Sequence, residues 1–475
     1  MARRDEEIPT GRLRRTARVG GLVAGQAARA AATRAANVTR SEPGARAAAE
    51  RRQAEAAEQI VEVLGQMKGA AMKVGQVASF IDTGAFPPEV QERFQAKLAE
   101  LRDAAPRVSF LQMRKVIEGD LGAPVDELFA AFEPEAVAAA SIGQVYRAEL
   151  HDGRRVAVKV QYPGVAAAVR ADLQNIGLLL RAAKRIAPGM DPKAIAGEIR
   201  ERVSEELDYE HEAQNQRAFA RAWRGHPFIV VPEVVGELCS ERVLVTEWIE
   251  GMGFEDVRRL PIAERDRMGE IVLRFFFGSV YRTGHFSGDP HPGNFLLMPD
   301  GRVAFLDFGM TKAVPREQTA AEVEVLRAGM SGDAGELHRR LSGLGFFDAD
   351  DPVLEPERVL AHFRAATGWY REDRPFTIDP EYVGRVMIDM GDPRSEFWGL
   401  MKRETVPAEA LLGRRMEAMV VGVLGQLRAT ANWHRIVREW VFAGPPATPL
   451  GEAEAAYWTS RGLLPVPVEP VERAA

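Results

Sequence analysis

The sequence predicts a two-lobed α+β fold, and three observations along the chain lead to this class. The first part of the chain, to about residue 125, reads as amphipathic helices with apolar residues at spacings of three and four. Two β-rich runs, "QVYRAEL" and "RRVAVKVQY", then flank the short turn "HDG". Helical patterns return after Pro315 and continue to about Phe442. Helices, a small sheet and more helices suit α+β packing better than alternating βαβ units do.

The composition is that of a globular chain in a reducing compartment. Its 475 residues are 46% hydrophobic and carry a net charge of −6, which allows a large core and gives no general argument for nucleic acid binding. Cys239 is the only cysteine, which excludes an intrachain disulfide and a cysteine-based metal cage. The sequence shows no export signal and no run of about 18 apolar residues. We therefore expect a cytoplasmic location, with any membrane contact peripheral and at the inner face.

Composition divides the chain into five segments. Residues 1–56 form a basic N-terminal segment, because residues 1–52 hold twelve Arg against five Asp and Glu, a balance of +7. Two interpretations of this segment stay open, a flexible solvated tail and a surface that lies on anionic lipid. A helical extension with the motif "KVGQ" follows at 57–125, and a β-rich lobe with inserted helices at 126–251. A helical lobe occupies 252–445, and a Pro-rich tail occupies 446–475.

The stretch "GDPHPGNFLLMPDGRVAFLDFG" carries the polar residues that best indicate chemistry. Asp289 and Asn294 are five positions apart, as in the D-x-x-x-x-N of a kinase catalytic loop, and Asp307 opens "DFG". The apolar runs around "PDG" predict a hairpin that returns Asp307 to the side of Asn294. Asn294 and Asp307 would then supply the oxygen ligands that Mg²⁺ prefers. Asp289 would orient the attacking group or accept its proton.

Two other interpretations of this stretch stay open. The polar residues could belong to a plain surface turn and a strand end, although their order and the hairpin between them disfavour this. His285 and His291 could bind zinc, but no H-E-x-x-H or comparable ligand set surrounds them. His291 is better explained as a residue that packs or hydrogen-bonds within the loop.

A second group of candidates lies around the predicted hairpin of the β-rich lobe. "VAVK" places Lys159 on the second strand, on the same face as Ala157, where it is similar to the lysine that pairs with ATP phosphates. An ordinary exposed strand lysine is the alternative. Just before the hairpin, "AAAS" stands where a kinase has a glycine-rich loop, and an Ala-rich helix end is the alternative. Further along, "FIVVPEVVGEL" and "ERVLVTEWIE" are predicted to pair as two strands.

The acidic stretch "SEELDYEHEAQNQ" offers partners for these cations. Asp208 and Glu212 are four positions apart, so the sequence predicts that they share one face of a helix. We predict that Glu212 pairs with Lys159. Glu206 and Asp208 are predicted to meet a different cation, and other acidic residues of the stretch are expected to be solvated.

Lys73 is the candidate for that second cation. It lies in "MKVGQ" with Gly75 and Gln76, inside an otherwise apolar helical pattern. A glycine within a helix costs about 1 kcal/mol relative to alanine, so Gly75 indicates close packing against another element. An exposed lysine on an ordinary amphipathic helix is the alternative.

Together these motifs resemble the UbiB/AarF (ADCK-type) atypical kinases over residues 58–312. The matching signatures, in order, are "KVGQ", "AAAS", "VAVK", "ELD", "DPHPGN" and "DFG". The resemblance implies a protein-kinase-like fold, with a small β-rich N-lobe, a helical C-lobe and an N-terminal helical extension. It also implies ATP and Mg²⁺ as cofactors, and an ATPase or small-molecule phosphotransferase activity. In that family the activity supports isoprenoid quinone biosynthesis or lipid homeostasis, often at a membrane.

The resemblance also implies roles for individual residues. Catalytic roles are expected of Asp289 and Lys159. Metal-binding roles are expected of Asn294 and Asp307. The extension would lie across the active site, where a protein substrate would otherwise bind. Its regulatory contacts are expected from Lys73, Gln76, Glu206 and Asp208. The residues expected to bind the nucleotide are Ala138, Ala139, Ala140, Ser141, Lys159, Glu212, Glu247 and Trp248.

Two departures from related sequences narrow the function. After "DFGMTKAVPREQ" the sequence has no A-P-E and no evident activation segment, which a protein kinase uses as a platform for its peptide substrate. The C-terminal tail lacks the paired apolar helices that some relatives carry as membrane anchors. The first expectation is an ATPase or phosphotransferase that binds ATP and ADP and meets an isoprenoid lipid or quinone precursor. A nucleotide-gated, non-catalytic scaffold and a protein kinase acting in trans remain as alternatives.

Overall fold

The computed structural model describes residues 108–140, 142–170, 173, 207–391 and 395–462. The basic segment and the helical extension up to residue 107 lie outside this range. Four of the candidate site residues also lie outside it, namely Lys73, Gln76, Ser141 and Glu206. The chain forms two compact units, Met1–His211 with Val235–Glu247 and Glu212–Val234 with Trp248–Ala475.

The described residues combine short strands with longer helices, as an α+β class requires. The strands are β1 Ala131–Phe132, β2 Ala138–Ala140, β3 Gly143–Glu149, β4 Arg155–Gln161, β5 Ile229–Val230, β6 Val243–Glu247, β7 His285–Ser287, β8 Phe295–Leu297, β9 Val303–Phe305, β10 Thr311–Ala313, β11 Phe376–Thr377 and β12 Thr430–Ala431. The helices are α1 Phe110–Leu121, α2 Val125–Leu128, α3 Tyr209–Trp223, α4 Phe254–Val257, α5 Ile262–Thr283, α6 Arg316–Ser331, α7 Ala334–Gly343, α8 Pro356–Ala366, α9 Pro380–Gly391, α10 Trp398–Met401, α11 Ala408–Leu427, α12 Trp433–Val441 and α13 Pro449–Ser460. Within this described part, no helix is both long enough and apolar enough to cross a membrane.

The first unit is built on an antiparallel sheet. Its strands run in the order β1-β3-β4-β6, and β2 also pairs with β3. The hairpin predicted around "HDG" is confirmed, because β3 and β4 pair along their whole length around a turn in which Gly153 has a φ of 84°. At the far end of this pair, a Cβ on Gly143 would lie 2.1 Å from the Val160 carbonyl oxygen, so only glycine fits there.

Strand β4 separates its side chains between the two faces of the sheet, as the sequence predicted. Val156, Val158 and Val160 are buried, and helix α1 packs on β4 and β6. Ala157 and Lys159 are only partly buried and lie on the opposite face. The hydrophobic contact with α1 therefore fixes which face of the sheet presents Lys159.

The predicted pairing of "FIVVPEVVGEL" with "ERVLVTEWIE" is wrong. The first run forms β5, which pairs in parallel with β9 in the second unit. The second run forms β6, which pairs with β4 in the first unit. Both runs have the apolar pattern of strands, but that pattern does not specify a partner, and each strand hydrogen-bonds to a sheet edge provided by another part of the chain.

The second unit is organised around α5. Every residue of this helix from Met268 to Tyr281 is buried, so neighbouring elements enclose it on all sides. It packs against α11, β7, β9 and β12. Close packing is visible at Gly269, where a Cβ would lie 2.6 Å from the Cβ of Ala429. The small sheets of this unit follow the orders β5-β9-β8, β10-β7 and β11-β12.

A buried ionic cluster ties the end of the chain to α5. The fully buried Arg274 donates to Glu270 at 2.7 Å, to Glu439 at 2.8 Å and to Glu454 at 2.7 Å. Glu454 and the buried Trp458 belong to α13, which lies in the segment that composition assigned to the tail. The helical part of the unit therefore extends to Ser460, because α13 contributes both a charged partner and an aromatic side chain to the interior. Residues 463–475 lie outside the described range.

A buried histidine in the same region makes the stability of the fold depend on pH. Burial, together with the nearby charges of Arg274 and Arg461, lowers the pKa of His226 to about 3. The Nδ1 atom of the neutral ring accepts from the Ile229 amide at 3.2 Å. Because an unfolded histidine titrates near 6.5, the unfolded state binds more protons between about pH 6.5 and pH 3. Stability contributed by the neutral ring is therefore present above that window and is lost as pH falls through it.

Replacing His226 with Asn should weaken this acid sensitivity. The amide oxygen of Asn can replace Nδ1 as acceptor, but it does not titrate. Between pH 6.5 and 4.5 we expect the unfolding free energy of the wild type to fall more steeply than that of His226→Asn, by up to about 1.4 kcal/mol per pH unit. Urea unfolding at several pH values measures the difference. The same substitution at the exposed His151 is the control, and equal slopes for wild type and His226→Asn would contradict the prediction.

Candidate catalytic and nucleotide-binding site

The hairpin predicted around "PDG" brings two of the candidate residues together. Strands β8 and β9 pair from Phe295↔Phe305 to Leu297↔Val303. At the open end of this hairpin, the Leu306 amide donates to the Asn294 carbonyl oxygen at 2.8 Å. Asn294 therefore lies beside the residue that precedes Asp307, as the sequence predicted.

The loop before this hairpin is held by its own hydrogen bonds. The Asn294 side-chain amide donates to the Asp289 carbonyl oxygen at 3.2 Å and to Asp289 Oδ2 at 3.1 Å. The Asn294 backbone amide donates to the His291 carbonyl oxygen at 2.9 Å. His291 Nδ1 accepts from the Gly293 amide at 3.0 Å, which agrees with a loop-stabilising role. Since the amide nitrogen of Asn294 is used by Asp289, its amide oxygen is the atom that suits a metal ion.

Two carboxylates lie near Gly309 of the "DFG" segment. Asp307 Oδ1 accepts from the Gly309 amide at 3.0 Å. A Cβ built on Gly309 would lie 3.4 Å from Asp307 Oδ1 and 3.5 Å from Glu212 Oε2. Glu212 is buried in the N-terminal part of α3. Carboxylate oxygens are ligands that Mg²⁺ prefers, so Asp307, with Glu212 near the same glycine, has the chemistry that a hard divalent ion requires.

Aromatic packing anchors the same segment. Phe308 is fully buried, and its ring centroid lies 4.8 Å from that of Phe219 on α3. The side-chain amide of Asn215, also on α3, donates to the Phe308 carbonyl oxygen at 3.2 Å. Helix α3 therefore sets the position of "DFG" through both an apolar and a polar contact.

The histidines of this region do not form a metal site. Burial lowers the pKa of His285, and its ring lies 4.9 Å from that of Phe219. Among the residues that the structure describes, no group of three or more His, Cys, Asp and Glu is arranged to hold a metal ion. A site built from the Asn294 amide oxygen and the Asp307 carboxylate would instead take its remaining ligands from phosphate and water.

In the first unit, Lys159 lies against an aromatic ring that the sequence analysis did not select. Its Nζ lies 4.9 Å from the ring centroid of the buried Tyr209, a favourable cation–π geometry. Tyr209 is the first residue of α3, three positions before Glu212. No sequence motif singles it out. The pairing of Lys159 with Glu212 stays a prediction.

The three alanines of "AAAS" form a strand and not a helix end. Ala138, Ala139 and Ala140 form β2, and each pairs with a residue of β3. The stretch therefore forms a β-hairpin before β4, which is where a kinase carries its glycine-rich loop. Strand pairing and the alanine Cβ atoms limit the backbone more than glycines would. Contact of these residues with a nucleotide stays a prediction.

Asp208 has a structural role that the sequence analysis missed. It precedes α3 and does not share a helix face with Glu212. Its Oδ1 accepts from the Glu210 and His211 amides at 2.9 Å and 3.3 Å, so it caps the N-terminus of the helix. Its expected contact with Lys73 falls on residues outside the described range. Glu247 is exposed and ends β6, and the two units meet in sequence between Glu247 and Trp248.

One further polar residue contacts the loop of Gly288 and Asp289 from the C-terminal region. Arg415, on α11, donates to the Gly288 carbonyl oxygen at 2.7 Å and to Asp289 Oδ1 at 3.3 Å. In the sequence it is an arginine in a helical pattern, 126 residues beyond Asp289. Nothing in the local sequence distinguishes it from the neighbouring Arg414 of that helix.

The segment between "DFG" and the next helix is short, and part of it pairs as a strand. Thr311–Ala313 forms β10, which pairs with β7, and α6 begins at Arg316. The Gly288 amide also donates to the Met310 carbonyl oxygen at 2.7 Å. The structure agrees with the sequence in this respect, since no extended activation segment separates "DFG" from the next helix.

Comparisons with known proteins agree with this architecture. The profile of the ABC1 atypical kinase-like domain matches residues 100–340. The chain is 33% identical over 379 residues to "Atypical kinase COQ8B, mitochondrial" of Rattus norvegicus, which covers 77% of this chain and 70% of that protein. It is 30% identical over 367 residues to the protein of the same name from Danio rerio, and spans 75% of this chain and 58% of that one. The solved complex of Rv3197 with erythromycin from Mycobacterium tuberculosis is 32% identical, with a TM-score of 0.61 over 82% of this chain and 97% of that chain.

Proposed function

Because the chain belongs to the ABC1 atypical kinase-like family and shares its kinase-like fold, we propose that it binds ATP with Mg²⁺ and catalyses ATP hydrolysis or phosphoryl transfer to a small molecule. The observation that supports the proposal is the β8–β9 hairpin, which brings Asn294 next to Leu306, the residue before Asp307, at the end of the loop of Asp289. Such a set matches what phosphoryl transfer needs, namely oxygen ligands for metal and a carboxylate at the nucleophile.

Each residue of the set has a distinct task in this proposal. Asn294 and Asp307 hold Mg²⁺, which would neutralise charge on the phosphate oxygens when bound. Asp289 orients the attacking hydroxyl or water through its carboxylate and accepts the proton. Lys159 donates to the α- and β-phosphates, while Glu212, the "AAAS" hairpin and residues 247–248 complete nucleotide binding.

We place the substrate among small molecules and not among proteins. The short, paired chain from Gly309 to Arg316 offers no platform for a peptide. By resemblance, the extension with Lys73 and Gln76 restricts access further, held by Glu206 and Asp208. The proposed role is support of isoprenoid quinone biosynthesis or lipid homeostasis, with the basic N-terminal segment making peripheral contact with anionic lipid. A scaffold that binds ATP without turnover is the second candidate, because residues able to bind Mg²⁺ and ATP are required for turnover but also serve binding alone.

Nucleotide binding by a Lys159→Ala variant tests the proposal. Loss of a charge-assisted hydrogen bond to phosphate should raise the Kd for MgATP by at least about tenfold. Titration calorimetry measures this, and Lys115→Ala, an exposed lysine on α1, is the matched control. Equal affinity in wild type and Lys159→Ala would refute the assigned role.

Turnover assays separate the two candidate functions. ATP hydrolysis is measured with Mg²⁺, with and without anionic liposomes and a prenylated phenol. Turnover that rises with lipid or phenol supports the enzyme, and a rate rise in Lys73→Ala supports an inhibitory extension. Tight MgATP binding with no turnover under any condition would support the scaffold.

A further inference from the structure

The catalytic loop is held by an arginine that lies outside it, and we propose that Arg415 is a positioning residue for Asp289. Its guanidinium is buried, like the carboxylate of Asp289. One nitrogen, Nη1, donates to the Gly288 carbonyl oxygen at 2.7 Å and lies 3.2 Å from the sulfur of Met310. The other, Nη2, donates to Asp289 Oδ1 at 3.3 Å. The inference rests on the proposed function, since it assigns how the reacting carboxylate is oriented.

The two oxygens of Asp289 have different partners. Oδ1 accepts from Arg415, and Oδ2 accepts from the Asn294 side chain at 3.1 Å. These two bonds fix the carboxylate against rotation about its side-chain dihedral angles. Because Asn294 is also a proposed metal ligand, Arg415 sets the position of Asp289 relative to the metal site. Without the guanidinium, a buried carboxylate would lose its cation and reorient.

Helix α11 lies directly on the loop. A Cβ on Gly288 would be 2.5 Å from Leu412 Cδ1 and 2.8 Å from Leu412 Cγ, so a side chain at this position would force the loop or Leu412 to move. A kinase loop with the H-R-D pattern has arginine immediately before its aspartate, where this chain has Gly288. Leu412 occupies the space that a side chain at position 288 would need, and Arg415, three residues further along the same face of α11, supplies a guanidinium to the loop.

The same guanidinium also connects the loop to the "DFG" segment. Met310 follows Gly309, and its carbonyl oxygen accepts from the Gly288 amide at 2.7 Å. Arg415 therefore contacts residues on both sides of this backbone bond. In a protein kinase, a phosphorylated activation segment orders this region. Here a helix of the C-terminal region does so by permanent packing, so we expect a loop that is ordered without phosphorylation.

Variants at Arg415 test the role in catalysis. Arg415→Met should lower kcat for ATP by about a hundredfold, because small misplacement of a reacting group costs that much, while the KM and the Kd for MgATP change little. Arg415→Lys should recover part of kcat, since it restores the charge but not both bonds. Arg414→Met is the control. Its guanidinium pairs with Glu417 at 2.8 Å and faces Phe346, so its kcat should stay within about twofold of the wild type.

Two substitutions that change side-chain size but not charge test the contact between the loop and α11. Gly288→Ala should lower kcat at least about tenfold by pushing the loop away from Leu412. Adding Leu412→Ala should restore most of the loss, measured against Leu412→Ala alone. This pair keeps the inference testable if Arg415→Met does not fold. Wild-type kcat in Gly288→Ala would overturn the inference.

Hydrogen exchange of residues 285–297 gives a readout independent of turnover. In Arg415→Met these amides should exchange faster than in the wild type and in Arg414→Met. Unchanged exchange together with unchanged kcat would overturn the inference while leaving the proposed function intact. A wild type that binds no MgATP would overturn the proposed function, and the catalytic role of Arg415 would fall with it.

Discussion

Asp307→Asn should reduce Mg²⁺-dependent ATP turnover by at least about a hundredfold. The substitution preserves size but replaces a charged metal ligand with a neutral one, and a metal ion stabilises transition-state charge by several kcal/mol, with 1.36 kcal/mol for each factor of ten. Near Asp307 the carboxylate of Glu212 remains, so the site keeps part of its charge and some affinity for Mg²⁺. We therefore expect turnover to fall more than nucleotide binding.

The matched control for this variant is Asp300→Asn. Asp300 lies at the turn of the same hairpin, is half exposed and pairs with Arg302 at 2.7 Å. Both variants remove one carboxylate from one hairpin, but only one removes a proposed metal ligand. Titrating Mg²⁺ in the turnover assay should show a raised Mg²⁺ requirement for Asp307→Asn alone. Turnover in Asp307→Asn that matches Asp300→Asn would remove the metal site from the proposal.

The second large effect is expected on stability, from Arg274→Met. Removing this guanidinium leaves Glu270, Glu439 and Glu454 buried without the cation they share. Breaking a buried ion pair in this way costs about 3–5 kcal/mol, which corresponds to a fall in Tm of roughly 10 °C. Burial already raises the pKa of Glu454, and loss of the cation should raise it further. Protonation then relieves the folded state at low pH, so the loss should be larger at pH 8 than at pH 5.

Two comparisons isolate the buried charge as the cause. Arg302→Met breaks the exposed pair with Asp300 and should change the unfolding free energy by less than about 1 kcal/mol. Adding Glu454→Gln to Arg274→Met should recover part of the lost stability, since it removes one of the stranded carboxylates. Thermal unfolding followed by tryptophan fluorescence measures all four proteins. A Tm for Arg274→Met equal to that of Arg302→Met would show that the cluster is not a stabilising unit.

Local patterns were sufficient for much of the fold. The Asp-Gly and Pro-Asp-Gly turns predicted their hairpins correctly, because the conformation of a tight turn depends on the few residues within it. Alternation along β4 correctly predicted that Ala157 and Lys159 share one face, because successive side chains of a strand point to opposite faces. The pairing of β5 and β6 was wrong because an apolar run specifies a strand but not its neighbour. Asp208 was assigned to a helix face, whereas the structure makes it the cap of that helix.

By itself the sequence determined the kinase-like family of this protein: an ordered set of motifs, in which a hairpin brings Asn294 beside Leu306, the residue before Asp307. Only the tertiary structure decided what holds that set in place. Arg415 reaches Asp289 across 126 positions, and Arg274 gathers glutamates from three helices. Contacts of this kind arise when separate helices pack on one another. Their geometry depends on the packing of the whole interior, so it cannot be deduced from the spacing of neighbouring residues.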